Sequence, residues 1–213
     1  MSAGVRVILV HGLGRTPVSM LVLAARLRAR GLQPALFAYS ATFETFSGCR
    51  RRLCRFIDRS AGHAPFIVVG HSLGAVLLRS VHTELPRAPQ ACFLIAPPAQ
   101  ACRAARALAA NPLFRLAAGE MGQLLADPAF MNALPLPGCT TRIYAGTGGP
   151  VGPWLPFGYE PNDGILSVRE TVMPGIPVIT IKWLHTFIMN AAVIADDIGR
   201  VASGLDHAVE ERS

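Results

Sequence analysis

The sequence predicts an α/β fold, with a mostly parallel sheet of about six strands flanked by helices on both faces. Three observations carry this. Short, near-continuous apolar runs alternate along the chain with longer stretches whose apolar residues recur at helical spacing. The runs show little polar alternation, the pattern of parallel strands buried on both faces. The chain has 213 residues, of which 51% are hydrophobic and 15% charged, enough to bury a substantial core in a single domain over residues 1–213.

Taken in order, the first strand is expected at 5–10 and runs directly into His11-Gly12. A helix follows at 18–30, stopped by Gly31, and a second strand at 34–39. A helix at 42–59 leads to the strand 66–69, and the stretch 73–85 reads as the next helix. Strands are expected at 92–96, 142–145 and 178–183, with a last helix at 186–201. Connections between parallel strands should be right-handed crossovers. Two stretches break the rhythm. Residues 99–138 are apolar and Ala-rich, punctuated by Pro112, Pro128, Pro135 and Pro137, which one continuous helix would not contain. They read either as helices packed on the sheet or as a short cap over a site. Residues 146–162 form a Gly/Pro-rich loop with Trp154, Phe157 and Tyr159, the kind of long loop that often carries function.

Bulk properties narrow the function classes. The net charge of +7 comes almost entirely from arginine. Arg50, Arg51, Arg52, Arg55 and Arg59 form the densest cluster. No aromatic interleaving or nucleic-acid motif accompanies it, so nucleic acid is not an expected partner. The cluster reads as the solvated face of a helix, with weak contact to an anionic membrane surface as the alternative. No apolar run approaches the ~20 residues that span a bilayer. The start lacks a basic segment followed by a long apolar stretch and a cleavage site, so a cytoplasmic protein is expected. The five cysteines, Cys49, Cys54, Cys92, Cys102 and Cys139, show no metal-ligand spacing. Cys92 falls in a strand as a small core residue, and Cys49 and Cys54, close together on a helix, are expected to be reduced.

The most informative segment is Gly70-His71-Ser72-Leu73-Gly74. It lies between a strand-like run and a helical one, where a sharp turn projects a serine hydroxyl. Gly70 and Gly74 leave room for the tight backbone and for close packing of helix on strand. Serine is a weak nucleophile at neutral pH and needs a base, itself oriented by a third group. On parallel sheets these partners follow the serine in the order acid, then histidine. His185 follows the last apolar strand and is the candidate base; His207, in a polar tail with Glu210 and Glu211, is the weaker one. Asp163 lies in Asn162-Asp163-Gly164, a tight turn that can aim a carboxylate back at the sheet edge. Glu160 is its nearest rival. Asp127 sits in the insertion, and Asp196 and Asp197 break the order. An oxyanion needs two N–H donors. The candidates are Leu73, at the start of a helix, and Leu13, in His11-Gly12-Leu13-Gly14 after the first strand. Gly12 and Gly14 allow that loop to turn its N–H inward, and His11 reads as a support for it, as His71 does for the serine turn.

These motifs, in this order, resemble the α/β-hydrolase superfamily, and more narrowly its small bacterial lipase/esterase-like members. The resemblance rests on Val10-His11-Gly12-Leu13-Gly14, Gly70-His71-Ser72-Leu73-Gly74, Pro161-Asn162-Asp163-Gly164 and Leu184-His185-Thr186, which span nearly the whole chain. It implies hydrolysis of a small-molecule carboxylic ester through an acyl-enzyme, with no metal or organic cofactor. A thioesterase or an acyltransferase would use the same residues. A non-catalytic lipid- or protein-binding module is the further alternative. The chain departs from the full family pattern in lacking the first two antiparallel strands and in having no cap beyond 99–138.

Overall fold

The computed structural model describes residues 4–210, with the backbone alone for 205–210. Six strands form one sheet: β1 (Arg6–Val10), β2 (Gln33–Phe37), β3 (Phe66–His71), β4 (Ala91–Ile95), β5 (Thr140–Gly146) and β6 (Val178–Ile181). Their spatial order is β2-β1-β3-β4-β5-β6, and every neighbouring pair is parallel. The order reverses between β1 and β3. At such a switch point the loops leaving the two strands diverge to opposite faces and open a crevice at the carboxyl edge. The loop after β1 carries His11–Gly14 and the turn after β3 carries Ser72.

The apolar runs explain the layers. Successive strand residues point to opposite faces, so each run divides by parity. Ile8, Val10, Val68 and Leu94 join one core with Leu53 and Ile57 of α2 (Phe46–Ala61) and Val76 and Leu77 of α3 (Leu73–Val81). Val7, Leu9, Ile67 and Phe93 join the other with Leu23 and Leu27 of α1 (Leu21–Arg28) and Ile194 and Ile198 of α8 (Ala192–Glu210). The predicted fold class is the observed one. No helix among the described residues is long and apolar enough to cross a membrane.

Several boundaries shift for local reasons. The helix expected at 18–30 divides into a 3-10 turn at Pro17–Met20 and α1. The helix expected from residue 42 begins at Phe46, because the Thr45 hydroxyl caps it by accepting from the Gly48 N–H. α3 stops at Val81, four residues early, and passes into a 3-10 turn at His82–Glu84. The strand expected to reach Tyr39 ends at Phe37, and the Tyr39 ring instead stacks on His11 with centroids 4.2 Å apart. The strand expected to reach Trp183 ends at Ile181. The last helix starts at Ala192 rather than residue 186, because 184–190 first turn back on themselves, with the Ile188 N–H on the Leu184 carbonyl and a 3-10 turn at Ile188–Asn190.

Residues 99–138 fold as three short helices, α4 (Arg103–Leu108), α5 (Pro112–Leu124) and α6 (Pro128–Ala133). The prolines open α5 and α6, where a missing N–H does no harm. Ala105, Met121, Leu125 and Met131 join the α2/α3 core. Both ends of the segment are held by Arg79 of α3, only 3% exposed, which donates to the carbonyls of Ala99, Leu134 and Pro135. The arginine cluster of α2 lies off the buried Cys49–Leu53–Ile57 stripe, with Arg50 paired to Glu84 and Arg52 to Glu44. All five cysteines are unbridged.

Candidate active site

Ser72 sits at the turn from β3 into α3 with φ 51 and ψ −119. A left-handed φ at a non-glycine residue costs about 1–3 kcal/mol and persists only where its surroundings hold it. The Ser72 N–H donates to the Ile95 carbonyl at 2.9 Å. The flanking glycines are required by space. A Cβ at Gly70 would lie 2.7 Å from the Ala75 backbone, and one at Gly74 would lie 2.3 Å from the Val10 carbonyl oxygen.

Two side chains from distant loops meet the serine. His185 Nε2 lies 3.0 Å from Ser72 Oγ, and His185 Nδ1 lies 2.7 Å from Asp163 Oδ2. Asp163 follows β5 through the long Gly/Pro loop, and His185 follows β6. The other carboxylate oxygen of Asp163 accepts the N–H groups of Ile165 and Leu166 at 2.9 and 2.7 Å. Asp163 is 2% exposed, so the ionised carboxylate fits only because its oxygens are occupied in this way. A carboxylate facing Nδ1 sets the imidazole tautomer, leaving Nε2 free to accept the Ser72 hydroxyl hydrogen.

The Gly/Pro loop serves as close packing for this turn. The Asn162 side chain donates to the Pro150 and Glu160 carbonyls and accepts from the Gly164 N–H. A Cβ at Gly146 would come within 2.6 Å of Asp163 Cβ. The rival acids are engaged elsewhere. Glu160 pairs with Arg103, Asp127 caps α6, Asp196 pairs with Arg30, and Asp197 is held by Arg142, Tyr144 and Arg200. The His207 side chain, Glu211 and the Glu210 side chain lie outside the described residues.

On the β1 side, His11 is buried against Tyr39, whose hydroxyl donates to the His11 carbonyl at 2.8 Å. Burial lowers the His11 pKa, so its ring is neutral at pH 7; its Nδ1–H donates to the Gly12 carbonyl at 3.0 Å, which supports the loop alongside the stacking. Gly12 brings this loop against the serine turn: a Cβ there would lie 3.1 Å from Ser72 Cβ. The N–H groups of Leu13 and Leu73 have no protein acceptor among the described residues. Leu13 lines the cleft in front of Ser72, and Leu73 opens the first turn of α3.

His71 does more than its place in the motif suggested. It is buried, and desolvation together with the neighbouring His185 pushes its pKa well below the ordinary 6.5. The neutral ring places Nε2 3.0 Å from the His185 carbonyl, so Nε2–H donates to it and tethers the backbone of the histidine that faces Ser72. The sequence signal was faint, one polar residue at the end of a buried strand.

Ser72 and His185 border a cleft of about 250 Å³, with Asp163 behind His185 and off its wall. The segment 99–138 supplies an apolar wall to it through Cys102, Ala105, Leu108, Phe114 and Leu125. Arg15 also lines it, beside Thr186.

Residues 7–202 match the model of the alpha/beta hydrolase family. No functionally curated protein matches the chain. Among solved structures, the mature lipase BlEst2 of Bacillus licheniformis superposes with a TM-score of 0.75 at 17% identity, over 95% of this chain and 93% of that one. The metagenomic carboxyl esterase MGS0156 superposes with a TM-score of 0.76 at 15% identity, over 96% and 77%. The RedJ thioesterase of the prodiginine pathway in Streptomyces coelicolor gives 0.63 at 16%, over 93% and 91%. At these identities the neighbours show the fold, and with the family match over nearly the full length the chain belongs to the alpha/beta hydrolase family.

Proposed function

We propose that the chain is a serine hydrolase of carboxylic esters that works through an acyl-enzyme. One observation carries the reading: the hydrogen-bonded chain from Ser72 through His185 to Asp163, built from three loops at one edge of the sheet. Ser72 Oγ attacks the ester carbonyl while His185 Nε2 takes its proton. Asp163 holds the ring and stabilises the imidazolium that forms. The N–H groups of Leu13 and Leu73 receive the oxyanion. His185 then gives its proton to the departing alcohol, leaving Ser72 acylated. Water, deprotonated by His185, attacks the acyl-enzyme and Ser72 leaves with the returned proton. The apolar wall formed by Ala105, Leu108, Phe114 and Leu125 suits the acyl chain, and short-to-medium acyl groups fit a cleft of about 250 Å³.

The test is hydrolysis of a chain-length series of nitrophenyl esters together with labelling by a fluorophosphonate. Wild-type protein should turn over the series and become labelled on Ser72. A folded Ser72→Ala variant with wild-type turnover would reject the proposal.

A further inference from the structure

Among the described residues Arg15 is the only arginine or lysine on the cleft wall, and no carboxylate side chain lines the cleft. The loop presents it by construction. Gly14 takes φ 62, and the Arg15 N–H closes a turn on the Gly12 carbonyl at 3.3 Å. The guanidinium makes a single hydrogen bond, to the Thr186 carbonyl at 3.3 Å, and no ion pair among the described residues. Most other arginines that reach across the fold are occupied: Arg30, Arg50, Arg52, Arg103 and Arg142 all meet a carboxylate. Arg15 is half-buried in the cleft with donors to spare.

Its position within the cleft identifies the part of a substrate it would meet. The acyl wall belongs to residues 102–125. Arg15 reaches instead to the residue after His185, and the leaving oxygen must lie at His185 Nε2 to receive its proton. A planar fork of N–H donors matches a carboxylate or phosphate and has no use for an alkyl chain.

We infer that Arg15 is a specificity-determining residue that binds an anionic group, carboxylate or phosphate, on the leaving-group side of the substrate. The preferred substrate is thus an ester with an apolar acyl chain and a negatively charged alcohol. The inference rests on the hydrolase reading above and names the substrate class for that same cleft.

The experiment compares matched pairs of octanoyl esters. One pair is the ester of meta-hydroxybenzoate and that of its methyl ester; the other is octanoyl glycerol phosphate and octanoyl glycerol. Wild-type protein should favour the charged member in kcat/KM by about tenfold to a hundredfold, the range for a hydrogen bond to a charged group. The favoured pair tells carboxylate from phosphate. Arg15→Met should erase the preference, mainly through KM, while leaving the neutral esters within about twofold, and Arg15→Lys should restore part of it. Added salt should weaken the preference in wild type and not in Arg15→Met. Equal turnover of charged and neutral esters by wild type, or a preference that survives in Arg15→Met, would overturn the assignment and leave the hydrolase reading standing. A loss on neutral and charged esters alike would show Arg15 to be a mere tie to the Thr186 loop and would also overturn it. If wild type hydrolyses no ester and takes no fluorophosphonate, both proposals fall.

Discussion

Asp163→Asn separates chemistry from folding at this site. The carboxylate has two duties. Oδ1 accepts the Ile165 and Leu166 N–H groups, and Oδ2 faces His185 Nδ1 at 2.7 Å. An asparagine can satisfy the two N–H donors only with its oxygen, so its NH₂ must take the place of Oδ2. An NH₂ donor facing Nδ1 stabilises the tautomer with hydrogen on Nε2, which can no longer accept the Ser72 proton. The expected loss is roughly ten-thousand-fold in kcat, the scale of a triad histidine held in the wrong tautomer, or about 5.4 kcal/mol in the barrier. The turn itself should survive, because both backbone donors keep their acceptor. Asp163→Ala would be a poorer probe. It strands the buried Leu166 N–H at about 1–3 kcal/mol and frees that of the part-exposed Ile165, and so confuses loss of catalysis with loss of structure. The assay is steady-state hydrolysis of a nitrophenyl ester, with the thermal midpoint and the fluorophosphonate labelling rate measured on the same preparation. A folded Asp163→Asn protein that keeps a tenth or more of the wild-type kcat would refute the assignment of Asp163 as the orienting acid.

Three further outcomes follow from the packing. Gly74→Ala drives a Cβ to 2.3 Å from the Val10 carbonyl oxygen and 2.6 Å from that of His11. It should lower the thermal midpoint by several degrees, from about 1–3 kcal/mol of overpacking at about 2–4 °C per kcal/mol for a chain of this size; an unchanged midpoint would show that α3 is not wedged against the β1 loop. Arg79→Met removes the donor that holds the Ala99, Leu134 and Pro135 carbonyls. Limited proteolysis should then cut within 99–138 at least about tenfold faster, and an identical cleavage pattern would count against Arg79 as the clamp. His11, His71 and His82 all have pKa values lowered below 6.5 by burial. Below that pH the unfolded chain takes up protons that the folded one refuses, so stability is full above about pH 6.5 and declines as the pH falls through and below it. Midpoints measured from about pH 7.5 to 5 should fall, and His71→Asn should flatten part of that slope.

The sheet was legible because its strands are buried on both faces, and a short β-branched apolar run such as Phe66-Ile67-Val68-Val69, stopped by Gly70, suits a buried strand better than a helix. The meeting of Ser72, Asp163 and His185 was legible because chain order and local turn chemistry already placed each at a strand end. What escaped was tertiary. Arg79 sits in an apolar helix with nothing local to mark it as a clamp for two carbonyls more than fifty residues away. Glu170 is buried, caps its own short helix α7 (Val168–Thr171), and also accepts the Arg103 N–H of α4 at 2.7 Å; that second partner exists only once the chain is folded. The strand and helix ends that shifted did so where a cap, a stacking ring or a loop turn outweighed propensity. Thr45, Tyr39 and residues 184–190 are the instances.

Ser72, His185 and Asp163 are long-range partners, yet their spacing is set largely by backbone. The His185 N–H donates to the Asp163 carbonyl at 2.9 Å and the Gly148 N–H to the Trp183 carbonyl, so the loops after β5 and β6 are laced together irrespective of their side chains, while the Gly149 N–H on the Asn162 carbonyl closes the β5 loop on itself. His71 then ties that pair to the serine turn through the His185 carbonyl, and the Ser72 N–H ties the turn to β4 through Ile95. A strained serine backbone is tolerated because the sheet and these ties over-determine it. The same rigidity accounts for a glycine at each close approach: at Gly12, Gly74 and Gly146 a single methyl group would separate one segment from the next, at Gly70 it would part β3 from α3, and a separation of even 1 Å at Ser72 would break the 3.0 Å contact with His185 on which the proposed chemistry depends.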